Sequence, residues 1–462
     1  MALARGGWIQ PLVLATAAAA LTAAGMLVAY SAGPIVLIVV VAALAVTALA
    51  LANPLAAVFV AITLIPLEVV SLAVGGDAGI SPAEGVFALA GFGWVVRRLM
   101  AGLPPYVDSP VTKPLLALLV IAVAGLGVSE SAGDTLRIVL MWTAAFFLVQ
   151  LLVDEATPST VGWILLLLAL TGGVVAVIAA ATSGGQEQQL VGMGTEATGR
   201  AAASFSNPNL LASFLATALA AAGAVMVGGR PQFRPFAAVA FVAALVGLAL
   251  TLSRGGLLAA AAAVAVMLLW RPFRRMALIA FAVGGVALLI SGAEVLGSSQ
   301  SVDLVTKRIE SVQYAGQVDP RSALWRGTPE IIGDHPLIGV GAGEFSRAAE
   351  LYGLRDPFSE YQPFEHAHSI PLTVAAELGL LGLAAFLWFA TKVGVVLVRA
   401  CRRTVGWARA YAVGLTAALA AIAVQGLVDY TVRSNVVAML VLTLVASAVV
   451  LSRVSPERPA GP

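Results

Sequence analysis

The chain has 462 residues, 60% of them hydrophobic and only 11% charged, with a formal net charge of +2. Soluble domains carry roughly 25% charged residues, so this chain has too little polar surface to coat a globule, and its mean hydropathy of +0.97 agrees. So small a net charge gives no footing for a nucleic-acid partner, and a single cysteine, Cys401, excludes an intramolecular disulfide.

The composition predicts an all-α polytopic membrane protein with about 12–14 transmembrane helices, since a span needs about 20 mostly apolar residues. In chain order the apolar runs are 11–30, 34–51, 54–74, 83–99, 114–129, 136–153, 160–181, 207–228, 235–252, 255–270, 276–295, 371–395, 410–428 and 436–452. The first follows Arg5 and resembles a signal peptide, but further spans follow at once, so it reads as a first transmembrane helix. Abundant Ala and Gly let helices approach closely in a bilayer.

Short cytoplasmic loops collect Lys and Arg. Arg97, Arg98 and Lys113 mark one such loop; Arg230 and Arg234 a second; Arg271, Arg274 and Arg275 a third; Arg399, Arg402, Arg403 and Arg409 a fourth. Arg453 and Arg458 place the C-terminus on that same side, and Arg5 places the N-terminus there. Two loops then fall outside. The expected organisation is N-terminal transmembrane helices over 1–181, a first extracytoplasmic loop over 182–206 and central helices over 207–295. A long extracytoplasmic loop over 296–370 follows, then C-terminal helices and a short cytoplasmic tail over 371–462. The long loop carries a plausible amphipathic turn at "VTKRIESVQ".

Polar residues stand out where a bilayer makes them expensive. The stretch 235–270 is apolar except for "SRGG" at 253–256. One helix of that length would run about 54 Å at about 1.5 Å per residue, so the chain must turn there and hold Arg254 at the outer interface. Arg254 then either snorkels or binds an anion. Upstream, "GRAAASFSNPN" places Arg200 before Asn207, Pro208 and Asn209. Asn suits an N-cap and Pro the first helical position, and a helix N-terminus favours anions.

In "DPRSALWRGTPEIIGDHPLIGVGAGEF", Arg321 and Arg326 lie five apart, with Trp325 beside the second. Gly339, Gly341 and Gly343 permit a tight turn near a ligand, and His335 before a proline reads as structural. Two of the three histidines, His366 and His368, stand at the mouth of the next apolar run in "FEHAHSIPLTVAAELGLLGL". A neutral imidazole there can take a proton near pH 7. An H-x-H pair also suits zinc or copper, given further ligands; Asp356, Glu360 and Glu365 are close in sequence. A solvated loop pair is the third reading.

Four elements in order, "GRAAASFSNPNLLASFL", "LTLSRGG", Arg321 to Trp325 followed by "DHPLIGVGAGEF", and "HAHSIPLTVAAELGLLGL", resemble the O-antigen ligase and polymerase family over roughly residues 196–385. The resemblance implies a GT-C-like architecture and transfer of a glycan from an undecaprenyl-diphosphate carrier to an acceptor hydroxyl, lipid A–core for a ligase. It places the reaction on the outer face of the bacterial cytoplasmic membrane, with neither metal nor cofactor and with inversion at the anomeric carbon. By the same resemblance, the base is one of His368 and His366, placed first on His368, and Arg200, Arg254, Arg321 and Arg326 are the diphosphate-binding cations. Asn207, Asn209, Gly341 and Gly343 support the loop and helix ends. Ser369 stands where many members carry Asn. The alternatives are a polymerase or protein O-oligosaccharyltransferase of the same family, and, from another class, a membrane transporter. Polar residues gathered at the outer edge, and not at the midplane, favour an enzyme over a transporter.

Overall fold

The computed structural model describes residues 34–67, 80–182, 201–203, 205, 207–274, 278, 320–355 and 363–454. The expected span at 11–30, nearly all of that at 276–295, the turn at 305–313 and Arg200 lie outside these residues. No strand is present among the described residues; the elements are helices. In chain order they are α1 (Pro34–Ala52), α2 (Pro54–Leu64), α3 (Pro82–Met100), α4 (Thr112–Gly125), α5 (Ala132–Glu155), α6 (Pro158–Thr182), α7 (Pro208–Gly228), α8 (Arg234–Leu250) and α9 (Arg254–Leu268). After these come α10 (Pro320–Asp334), α11 (Phe345–Leu351), α12 (Ile370–Arg403), α13 (Gly406–Gly426) and α14 (Asn435–Ser452). Among the described residues, seven helices are long and apolar enough to cross a membrane. Four others are apolar but shorter, α4 and α9 among them.

The helix starts follow from local chemistry. Asn53, Ser81, Asn207, Ser253 and Ser434 each cap the following helix through a side-chain oxygen. Pro54, Pro82 and Pro208 occupy the first helical position, where a missing N–H costs nothing. Ser81 and Glu84 complete a reciprocal capping box.

The innermost helix is α7, buried along nearly its whole length and packed by α6, α8, α9 and α13. Small residues set these approaches. A Cβ at Gly172 of α6 would meet the Ala218 methyl of α7 at 2.2 Å, and one at Gly414 of α13 would meet that of Ala224 at 2.3 Å. Such contacts suit helices in lipid, where close packing replaces the hydrophobic drive.

Hydrogen bonds identify the two ends of the bundle. At one end, the starts of α7 and α9 and the end of α13 are tied through Asn209, Ser253 and Gln425. At the other, Arg98 pairs with Asp154 at 3.0 Å, Arg453 donates to the Val153 carbonyl and Arg403 to that of Ser452. Arg98, Arg403 and Arg453, from three of the segments expected to be cytoplasmic, therefore share one end. The break in the 235–270 stretch falls at Thr251–Ser253, beginning two residues before the "SRGG" at which the sequence placed it. Arg254 already belongs to the first turn of α9, and Leu252 takes the left-handed conformation that closes the bend.

Candidate active site

Two segments that flank the long loop's return to the bundle build the site. Residues 363–369 lead into α12, and residues 427–430 follow α13. His368 Nδ1 lies 3.2 Å from Asp429 Oδ1. The His368 backbone is left-handed, at φ 47°, and its N–H donates to Nδ1 of His366 at 3.2 Å. That bond leaves the His366 proton on Nε2. The rings stand edge to face, 4.3 Å between centroids.

The two imidazoles differ in setting. His366 is 7% exposed. Burial, aided by the charge of His368, pushes it down to about 3, so it stays neutral. The His368 side chain is 25% exposed. Asp429 is nearly buried; burial alone would raise its carboxyl, but the His368 hydrogen bond and the charges of His368 and Arg321 hold it below the usual range. The Arg321 guanidinium acts on both His366 and Asp429, so the structure brings it to the cluster.

Second contacts lock this arrangement. Trp325, one turn after Arg321 on α10, donates from Nε1 to the Ala367 carbonyl between the two histidines at 3.0 Å. The Ala367 N–H donates to the Thr373 hydroxyl. Asp429 Oδ1 also accepts the Tyr430 N–H at 2.8 Å. Arg433 pairs with Glu365 at the rim.

The remaining expected residues fall as follows. Arg254 opens α9 at the same end of the bundle, exposed and with no carboxylate partner among the described residues. Its neighbour Gly255 packs beside Gln425 and Val428, directly before Asp429. Arg326 is five positions from Arg321, about 140° around the helix, and is exposed on that other face. Asn207 caps α7 through Asn209 N–H. Asn209 accepts from Ser253 at 2.8 Å on its side chain and from Gln425 at 3.0 Å on its carbonyl. The Asn-Pro-Asn element is therefore a knot joining α7, α9 and α13 under the site.

The glycines meet protein. α12 breaks at Gly379 (φ 67°, ψ −170°), and the segment 336–341 runs alongside the break. Val340 N–H donates to the Ala376 carbonyl, Gly341 N–H to Glu377 and Leu380 N–H to Pro336. A Cβ at Gly339 would lie 2.4 Å from the Glu377 backbone, and one at Gly379 2.4 Å from that of Leu337. Gly341 and Gly343 pack against Ser129 and Ile138 of the α4–α5 region. The tight turn expected here exists, and it answers to backbone contact.

His366, His368 and Asp429 also place three ligand atoms within 4.8 Å of one another, a donor set of two imidazoles and one carboxylate. Of the acidic residues first considered beside the histidines, Glu365 pairs with Arg433, and Asp356 and Glu360 lie outside the described residues.

Asp429 escaped the sequence reading. Its signal was present in "GLVDYTVRSN", a lone acid between two apolar runs, which the reasoning applied to Arg254 would have flagged. Residues 239–387 match a family described as O-antigen ligase. The match spans Arg254, Arg321, His366 and His368 but ends before Asp429. No curated protein matches the chain significantly.

Proposed function

With residues 239–387 belonging to the O-antigen ligase family, we propose that this multi-pass membrane protein transfers a glycan from an undecaprenyl-diphosphate carrier to an acceptor hydroxyl. The reaction would run at the outer face of the cytoplasmic membrane. The observation that carries the reading is the His368–Asp429 contact at 3.2 Å, beside Arg321.

In this reaction His368 is the base. With Nδ1 bonded to Asp429, Nε2 is free to accept a proton from the acceptor hydroxyl. The acceptor oxygen attacks the anomeric carbon, and the bond from that carbon to the carrier's phosphate oxygen breaks. The electron pair leaves with the diphosphate. The configuration inverts. Asp429 steadies the imidazolium as it forms, the orienting role of a buried carboxylate behind a histidine. His366, neutral and with Nδ1 occupied, holds the His368 backbone and takes no proton.

Charge builds on the leaving diphosphate, and cations aimed at it lower the barrier. Arg321 acts on the cluster from α10, and Arg254 opens α9 at the same end of the bundle; both carry guanidinium forks suited to phosphate oxygens. Lipid A–core is the acceptor of a ligase; a second lipid-linked repeat is that of a polymerase.

The test is transfer by the purified full-length chain, from a polyprenyl-diphosphate-linked glycan to an added acceptor. His368→Ala should lose about 10²- to 10⁴-fold in rate with the protein still folded. An unchanged rate would end the assignment.

A further inference from the structure

A cavity of about 440 Å³ opens at the end of the bundle away from the histidines. It lies where α6, α8 and α13 begin and α7 ends. The 21 residues of α7 separate it from the Asn207 knot by about 30 Å, so it is no part of the site above. Its walls are Trp163, Phe233, Trp407 and Tyr411, its apolar floor Leu166 and Val225, and its cations Arg230 and Arg234. The rings are ordered in pairs: Trp163 stands edge-on to Phe233 at 5.6 Å, Trp407 to Tyr411 at 5.4 Å.

No acidic side chain lines this cavity. Neither Arg230 nor Arg234 has a carboxylate partner among the described residues, and both are exposed. Arg234 spends one N–H on the Gly229 carbonyl, which fixes the guanidinium at the rim. Along α8, Phe236 and Val239 are 62% and 71% exposed. Trp163 and Trp407 lie half-exposed near the starts of α6 and α13, helix-end positions of the kind such rings take at a membrane–water interface. An apolar floor, a ring wall and an uncompensated cationic rim at that end match an amphiphile with an anionic head.

We propose that this cavity binds the phosphate headgroup of an anionic phospholipid of the leaflet opposite the reaction, with Arg230 and Arg234 on the phosphate and its chains along α8. By the charge bias of the loops this is the cytoplasmic leaflet. A basic residue near such a surface contributes about 1 kcal/mol, so each arginine corresponds to about fivefold in lipid affinity.

Native mass spectrometry of the full-length chain in detergent tests this, with phosphatidylglycerol and phosphatidylcholine added at equal concentration. Wild type should retain phosphatidylglycerol about fivefold more tightly than Arg230→Gln, while Arg230→Lys and a distant control, Arg399→Gln, match wild type. Phosphatidylcholine should bind all four alike. Retention by Arg230→Gln equal to wild type overturns the site. Displacement by inorganic phosphate alone overturns the lipid and leaves a soluble anion as the occupant. The Arg230 carbonyl accepts the Phe233 N–H, a backbone bond that substitution of the exposed side chain leaves in place, so the variants should fold; melting of each checks this.

Discussion

Asp429 Oδ1 reaches His368 Nδ1 across 61 positions of sequence and the whole of α12 and α13. The carboxylate arrives from the end of one helix pair, the imidazole from the start of it, and the contact exists only once both helices are packed. If Asp429 orients the base, Asp429→Asn should keep the fold and binding of the donor while lowering kcat. A loss of about 10²-fold or more would match the orienting role. A fall in KM-dependent binding with kcat unchanged would assign Asp429 elsewhere.

The His366 ring supplies a pH dependence. It drops from 6.5 to about 3 on folding, chiefly through burial. Between those values the unfolded chain binds a proton that the folded chain refuses, so stability falls as pH drops through that window. The slope is up to about 1.4 kcal/mol per pH unit. The apparent melting temperature in detergent should decline from about pH 6.5 to about pH 4 more steeply in wild type than in His366→Asn. Asn does not titrate and keeps an acceptor for the His368 N–H. Parallel slopes would remove His366 from the account.

The arginines separate charge from shape. Hydrogen bonds to charged groups contribute about 1.5–3 kcal/mol, so Arg321→Ala should cost about tenfold to a hundredfold in kcat/KM. Arg321→Lys retains the charge and loses the fork, and should recover only part of it. Arg254→Ala and Arg254→Lys should follow the same order. Full activity in both lysine variants would rule out fork-like recognition of the diphosphate.

Metal chemistry gives an independent check on the base. Proton transfer to His368 needs no ion, so a chelator should leave the purified enzyme's rate unchanged. Added Zn²⁺ should inhibit, because His366, His368 and Asp429 offer it a donor set within 4.8 Å. The chelator should reverse that inhibition, and Asp429→Asn should weaken it. Loss of activity on chelation alone would displace the free-base mechanism.

Stability should concentrate at the break in α12. Gly379→Ala forces a Cβ to 2.4 Å from the Leu337 backbone at φ 67°, and strain of this kind costs about 1–3 kcal/mol before any clash. Gly339→Ala should behave alike. Gly333→Ala, within α10 and with nothing within 4 Å, should be neutral or stabilise by about 0.5–1 kcal/mol. Melting temperatures of the three variants check the contrast.

The legible parts of the molecule were those written in local chemistry. Asn207 and Pro208 announce a helix start by side-chain geometry alone, and that start is where they stand. Apolar runs set the helices because a bilayer leaves the backbone no other partner. Arg254 was visible because charge is costly beside a span. The pairing of Asp429 with His368 was not, since it depends on how α12 and α13 pack. The glycines at 339, 341 and 343 were read as room for a ligand; their neighbours are the backbone of a broken helix and the side chains of Ser129 and Ile138. No local pattern announces that break, because it answers to the 336–341 segment lying alongside, about forty positions away in sequence.

The break at Gly379 also divides α12 into a short stub that follows the histidines and a long apolar half. Unbroken, the 34 residues of α12 would form a rod of about 51 Å, tilting with every change in lipid thickness and carrying the histidines with it. Backbone hydrogen bonds instead tie both sides of the break to the 336–341 segment, at Ala376 and Glu377 before it and at Leu380 and Leu381 after it, so protein contacts fix the bearing of the stub. Transfer rates should therefore be nearly indifferent to acyl-chain length, a form of mechanical damping set by a single residue without a side chain.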